Sequence, residues 1–225
     1  MEKIGIIGLG NMGMGIAKNV IKSDYTVMGY DLREECLKEI VSHGGEVAES
    51  VSQVSQLSDV VFVMVMNGKQ VKEVVTQLSP GLKDRGTIII TATTKPEEVK
   101  EAYKIAQKNN INMVDSPVSG GLQGAHEGTL TLMTAADEKT FQDCKKILES
   151  ISKNMIHVGT NIGDGQTVKA SLQSFIGATF TAIFESLVLG SKAGIDGQTL
   201  YDVFSTSGAS SPLFKNCAKL ILDRK

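Results

Sequence analysis

From Lys3 to about His157, short apolar runs alternate with segments whose apolar residues recur three and four apart. That alternation predicts a parallel sheet with crossover helices. The runs lie at 4–7, 26–30, 60–65, 87–90, 112–114, 129–133 and 155–158. Unbroken apolar positions, as in Val60-Val61-Phe62-Val63-Met64-Val65, mark strands buried on both faces. Residues 34–41, 69–78, 97–107 and 138–151 carry the helical period and supply the covering helices.

The pattern changes near Asn161. From Gly165 to about Lys192 there is no proline, and apolar residues such as Val168, Leu172, Phe175, Phe180, Phe184 and Leu187 spread around much of a helix circumference. A helix apolar on most sides must be buried on most sides. At about 1.5 Å per residue it would run roughly 40 Å, more than a small domain needs. It is therefore expected to connect domains and to bury its surplus face in a homodimer or homotetramer. Gly194-Ile195-Asp196 ends it, and two shorter helices are expected over 198–205 and 213–222. The predicted organisation is an α/β domain over 1–161, helices on both faces of a mostly parallel sheet, followed by a helical domain over 162–225.

Composition narrows the function. The 225 residues include 23 Lys and Arg against 25 Asp and Glu, for a net charge of −2, which excludes a basic nucleic-acid footprint. Uninterrupted apolar runs stop well short of the roughly 18 residues that span a bilayer, so no membrane partner is expected. The amino-terminal apolar run is too short for a secretory signal. Cys36, Cys144 and Cys217 are widely spaced with no Cys-x-x-Cys, as in reduced cytoplasmic proteins. His43, His126 and His157 have no second ligand at a metal-binding offset, and no metal is expected. Glycine is abundant, 23 residues against 4 prolines, which points to tight backbone approaches rather than loose linkers.

The first glycine cluster carries chemistry. Gly8-Leu9-Gly10-Asn11-Met12-Gly13 follows the first strand and opens a helix. In that context the first glycine makes a tight turn, the second admits a pyrophosphate, and the third lets helix and strand pack. The helix amino end offers its N–H groups to the phosphates. Asp31 ends the second strand, about 20 residues on, where a carboxylate accepts from the ribose hydroxyls. A carboxylate there repels a 2′-phosphate, so the sheet is read as Rossmann-like, with NAD favoured over NADP. Arg33 is the counter-signal: it either holds that phosphate or is a solvated first-turn residue.

Two further segments stand out. In Asp115-Ser116-Pro117-Val118-Ser119-Gly120-Gly121, a serine and paired glycines at a strand end read either as an ordinary turn or as a nest for a small carboxylate. Gly163-Asp164-Gly165-Gln166-Thr167-Val168-Lys169 opens the long helix. Lys169, among apolar neighbours, either snorkels to water or sits in a partly dry site where desolvation lowers its pKa toward acid–base use. Gln173 lies one turn along the same face, so an amine and an amide can address one substrate hydroxyl.

Taken in order, these three motifs resemble the β-hydroxyacid dehydrogenase family, which includes 3-hydroxyisobutyrate dehydrogenase, tartronate semialdehyde reductase and L-threonate dehydrogenase and is related to 6-phosphogluconate dehydrogenase. The resemblance implies a Rossmann-like domain and an all-helical domain built round a long helix. It implies an NAD-dependent oxidoreductase interconverting a small 3-hydroxy acid, such as 3-hydroxyisobutyrate, threonate or glycerate, with its oxo acid. It makes Lys169 the catalytic acid–base with Gln173 beside it, and gives the substrate carboxylate to Ser119, Gly120 and Gly121. Val65 and Met66 match a pair lining the cofactor, and Thr93 matches a Ser or Thr near the nicotinamide. Leu172 departs from the pattern where many members carry Asn. The family also continues beyond Arg224-Lys225, so the helical part is expected to be incomplete. The alternatives are a nonenzymatic dinucleotide-binding protein and a 6-phosphogluconate-type enzyme, the latter disfavoured because no Arg or Lys cluster marks a substrate phosphate.

Overall fold

The computed structural model describes residues 3–84 and 86–224; Met1 and Lys225, at the ends read above, lie outside them. Two compact units meet between Ala170 and Ser171. The first contains β1 (Lys3–Ile7), α1 (Asn11–Lys22), β2 (Thr26–Tyr30), α2 (Glu34–Ser42), β3 (Glu46–Val47), α3 (Val51–Leu57), β4 (Val60–Val63), α4 (Gly68–Leu78) and β5 (Thr87–Ile90). It continues with α5 (Pro96–Lys108), β6 (Asn112–Asp115), β7 (Val118–Ser119), α6 (Gly121–Glu127), β8 (Leu130–Ala135), α7 (Glu138–Glu149), β9 (Ser152–Gly159) and the first turns of α8 (Asp164–Lys192). The remainder of α8, α9 (Gly197–Thr206) and α10 (Pro212–Leu222) form the second.

The strands make one sheet in the order β3-β2-β1-β4-β5-β6-β8-β7, with β9 on β8. From β3 to β6 the pairing is parallel; β8 runs antiparallel to β6 and β7. Alternate side chains feed two cores. Ile4, Ile6, Phe62, Ile89 and Val114 enter one, while Ile7, Val61, Val63, Ile88 and Ile90 enter the other. Each such side chain taken from water contributes about 1.5–3 kcal/mol, which is why the strands read as unbroken apolar runs.

The register decides where chemistry can gather. Ile7 pairs with Tyr30 and Val63, Val63 with Ile90, and Ile90 with Asp115, so five strands end at one level. The crevice between β1 and β4, where the strand order reverses, opens at that carboxyl edge.

Four short elements, β3, α3, β7 and α6, have no counterpart in the sequence reading because two to seven residues are too few to show a period. The run at 60–65 leaves the strand at Val63, and Met64 and Val65 turn out of the sheet.

In the second unit, Asp196 and Ser211 cap α9 and α10 by accepting the Thr199 and Phe214 N–H groups. Ile183, Phe214 and Ala218 form its small core, with Phe204 tilted against Phe214 at 5.6 Å. One face of α8 is served by this arrangement and the rest is not: Phe175 is 68% exposed and Leu189 74%. The long helix is thus far less buried than its composition requires. By length and composition alone α8 could cross a membrane, with mean hydropathy 1.5 over an 18-residue stretch, although every uninterrupted apolar run is shorter. A core helix of a soluble protein has the same signature.

Candidate active site

The glycine turn leaves the sheet at the end of β1. Gly8 adopts φ +90°, and a Cβ there would strike the Met64 carbonyl. A Cβ on Gly13 would strike the Gly8 carbonyl, so both positions demand glycine for the turn and for the approach of α1. Gly10 caps α1 with no side-chain hydrogen bond, leaving first-turn amides of Asn11, Met12 and Gly13 for an anion. Leu9 is buried in the core, and its N–H donates to Asp31 Oδ2 at 2.7 Å. This cradle fits a dinucleotide.

Asp31 follows β2 and is tied to Arg33 three times. The Arg33 backbone N–H and Nε donate to Oδ1, each at 3.0 Å, and Nη2 donates to Oδ2 at 3.1 Å. Partial burial pushes the Asp31 carboxyl up, but the Arg33 and Leu9 hydrogen bonds outweigh it and hold it below its ordinary value. The Arg33 guanidinium also reaches over the turn, its Nη2 only 3.2 Å from where a Gly10 Cβ would stand. Arg33 is exposed, with its guanidinium beside the glycine turn and paired with the Asp31 carboxylate.

The remaining positions follow neighbouring strands. Val65 packs on the second core while Met66 is 85% exposed, just beyond β4. Thr93 is exposed beyond β5. Ser119 ends β7, and Gly120 and Gly121, at φ +131° and +63°, turn the chain into α6. L side chains resist these positive φ values, so both positions favour glycine at the turn.

Lys169 lies on α8 and is 8% exposed. Burial lowers its pKa, and among the described residues no carboxylate pairs with it. Gln173 is one turn further on the same helix, exposed and in the second unit.

The sequence reading assigned no role to Asp115 or Gln166. Asp115 ends β6 with no exposed surface. Its Oδ2 accepts the Gly163 N–H at 2.9 Å and the Gln166 N–H at 3.2 Å, and its Oδ1 accepts Gln166 Nε2 at 2.8 Å. Gln166 Nε2 also donates to the Ala92 carbonyl at 3.0 Å, and its Oε1 accepts the Thr94 N–H at 2.9 Å. The first turn of α8, and with it Lys169, is thereby fastened to β6 and to the loop after β5. The signal in the sequence was an acid closing an apolar run, Met113-Val114-Asp115, in a strand buried on both faces.

Residues 3–159 match the family described as the NAD binding domain of 6-phosphogluconate dehydrogenase. Residues 163–225 match the family described as NAD-binding of NADP-dependent 3-hydroxyisobutyrate dehydrogenase. The chain is 34% identical over 212 residues to 2-(hydroxymethyl)glutarate dehydrogenase of Eubacterium barkeri, covering 93% of this chain and 70% of that one. It is 34% identical to a probable mitochondrial 3-hydroxyisobutyrate dehydrogenase of Dictyostelium discoideum, covering 98% and 70%. A structure of Mycobacterium tuberculosis 3-hydroxyisobutyrate dehydrogenase with L-serine superposes with a TM-score of 0.89 at 29% identity, covering 95% of this chain and 73% of that one.

Proposed function

The chain belongs to the β-hydroxyacid dehydrogenase family, and from that premise we propose that it oxidises a small 3-hydroxy acid to its oxo acid with NAD, Lys169 acting as general acid–base. It is a nicotinamide-dependent oxidoreductase; relatives named as dehydrogenases match along 93% and 98% of the chain, which favours an enzyme over a nonenzymatic dinucleotide-binding protein. The observation that carries the assignment is Lys169 itself: buried, without a carboxylate partner among the described residues, and on a turn fastened to the carboxyl edge of the sheet.

Gly8 to Gly13 would hold the pyrophosphate, Asp31 the adenosine ribose, and Val65, Met66 and Thr93 the nicotinamide side. The bound cofactor supplies the hydride acceptor. The Ser119 hydroxyl and the Gly120 and Gly121 amides would hold the substrate carboxylate, which orients the hydroxyl-bearing carbon. A neutral Lys169 Nζ takes the hydroxyl proton as the carbonyl forms, and the ammonium returns it in reduction. Desolvation lowers the pKa of that amine, which favours its use as a base. Gln173 would orient the same hydroxyl. A cytoplasmic setting belongs to this reading, from the wide spacing of Cys36, Cys144 and Cys217 in the sequence.

The test is a panel of 3-hydroxyisobutyrate, L-threonate, D-glycerate and L-serine, each with NAD and NADP, on the wild type and Lys169→Ala. We expect Lys169→Ala to lower kcat by about 10² to 10⁴ with little change in NAD affinity. Near-normal kcat in that variant would remove Lys169 from the proton transfer.

A further inference from the structure

The buried junction between β6 and α8 supports an inference that rests on the role given to Lys169. Every hydrogen bond of Asp115 described above is one it accepts, from Gly163 N–H, Gln166 N–H and Gln166 Nε2. The direction of the Gln166 amide is itself set, because its Oε1 accepts from Thr94 N–H while Nε2 serves Ala92 O. Rotating that amide by half a turn would set oxygen against a carbonyl and NH2 against an N–H. A protonated Asp115 would have to present its O–H to one of three donors, so this geometry suits the acceptor-only carboxylate.

We propose that Asp115 is a positioning residue for proton transfer: its carboxylate locks the turn of α8 that leads into Lys169 to the β5 loop that holds Thr93 and Thr94, and protonation releases the lock. Gln166 is the second half of the device, passing the constraint from Asp115 to Ala92 and Thr94. Burial pushes Asp115 up to about 6, against the pull of the Gln166 and Gly163 hydrogen bonds; a carboxyl that stays buried but loses those bonds holds its proton more tightly still, so mild acidification favours the unlocked junction even though it also favours the folded chain over the unfolded one. The charged groups on the elements around it are few. Lys169 lies one turn along α8, Asp164 accepts from Asn161 N–H at 3.2 Å, and the Lys100 side chain of α5 lies over Gly163. Among the described residues none of the three forms an ion pair with Asp115.

Reduction of the oxo acid separates the two titrations, because in that direction Lys169 must be protonated and its own limb lies on the alkaline side. With the oxo acid of whichever panel member is oxidised fastest, wild-type kcat should fall below about pH 6. In Asp115→Asn the plateau should drop about 10- to 100-fold, the size of loss expected from a misplaced catalytic group, and the acid limb should disappear. The Kd for NADH, read from nicotinamide fluorescence, should stay within about twofold. Hydrogen exchange in the peptide covering 161–169 should quicken about tenfold or more in the variant, and in the wild type below pH 6 after correction for intrinsic rates. These factors follow from losing a buried charge-assisted hydrogen bond. If Asp115→Asn fails to fold, Gln166→Met serves: losing a donor to the carboxylate should move the wild-type acid limb to higher pH. An acid limb that persists in Asp115→Asn or stays in place in Gln166→Met, or unchanged exchange at 161–169, overturns the proposal. Failure of the Lys169 assignment is read separately, since it shows as near-normal kcat in Lys169→Ala while the exchange measurement still reports on the lock.

Discussion

Replacing Asp115 by Asn should change how stability depends on pH in a direction opposite to acid denaturation. Burial raises the Asp115 pKa from 3.8 to about 6, so the folded state holds this proton more tightly than the unfolded chain does. The sign follows by linkage: this group's contribution to stability is fully present below the unfolded pKa and is lost as pH rises through about 6. A shift of about two units corresponds to about 3 kcal/mol in all, roughly half of it between pH 5 and pH 8. Other carboxylates, among them Asp59 and Asp137, have lowered values and act in the opposite sense, gaining stability above their unfolded pKa. A profile of the wild type alone mixes these contributions; the difference between wild type and Asp115→Asn cancels the shared ones. Urea unfolding followed by far-ultraviolet circular dichroism at pH 5, 6, 7 and 8 measures it. The variant should gain about 1.5 kcal/mol relative to wild type from pH 5 to pH 8, whatever its offset at any single pH. A difference that does not vary with pH would refute the reasoning, because a carboxyl with an ordinary pKa has no such window.

Three other outcomes follow from the same geometry. Asp31→Ala should weaken discrimination in favour of NAD over NADP by about 1–3 kcal/mol, the cost of leaving a ribose hydroxyl pair without its charged acceptor, read as a ratio of kcat/KM values; a wild-type preference for NADP would sink the Asp31 argument. Arg33→Ala should tighten NAD binding by freeing Asp31, and should weaken NADP binding, both measured by isothermal titration calorimetry; weaker NAD binding would show that Arg33 assists the cofactor. Light scattering during size-exclusion chromatography should give a dimer or tetramer, since Phe175, Phe184, Val188 and Leu189 are too exposed for a stable monomer, and a monomer would contradict the inference.

What the sequence revealed depended on length of signal. Strands buried on both faces announce themselves as apolar runs, and helices of nine residues or more show their period, so the elements that build the sheet were legible. The two-residue strands β3 and β7 and the seven-residue helices α3 and α6 were not. The tight turn at Gly8 and the place of Asp31 just after β2 were legible because a strand-to-helix turn of this kind demands glycine at fixed positions and the apolar run marks where the strand stops. Arg33 was read as an ambiguous surface charge because its effect depends on where a flexible side chain folds back, and here it returns to Asp31. Within one chain, α8 is only partly covered. Its apolar circumference is real, but three helices of one chain cover a single face.

Asp115 and Gln166 escaped notice for a different reason. Each sat inside a motif already accounted for by its neighbours, Ser119 in one and Lys169 in the other. The hydrogen bonds that join them span 51 positions in the chain, and no local pattern reports such a pairing. In the folded protein the two motifs are joined: Asp115, at the end of β6 and just before the β7 segment that carries Ser119, anchors the helix that carries Lys169. This has a consequence for substitutions. Hydrogen bonds run from Thr94 N–H to Gln166 and from Gln166 to Asp115, so changing either residue alone reverses one link and sets like groups face to face. Asp115→Asn combined with Gln166→Glu restores a donor opposite an acceptor at that link, at the expense of the bond to Ala92. The double variant should therefore recover part of the activity lost by Asp115→Asn, whereas independent sites would simply add their losses.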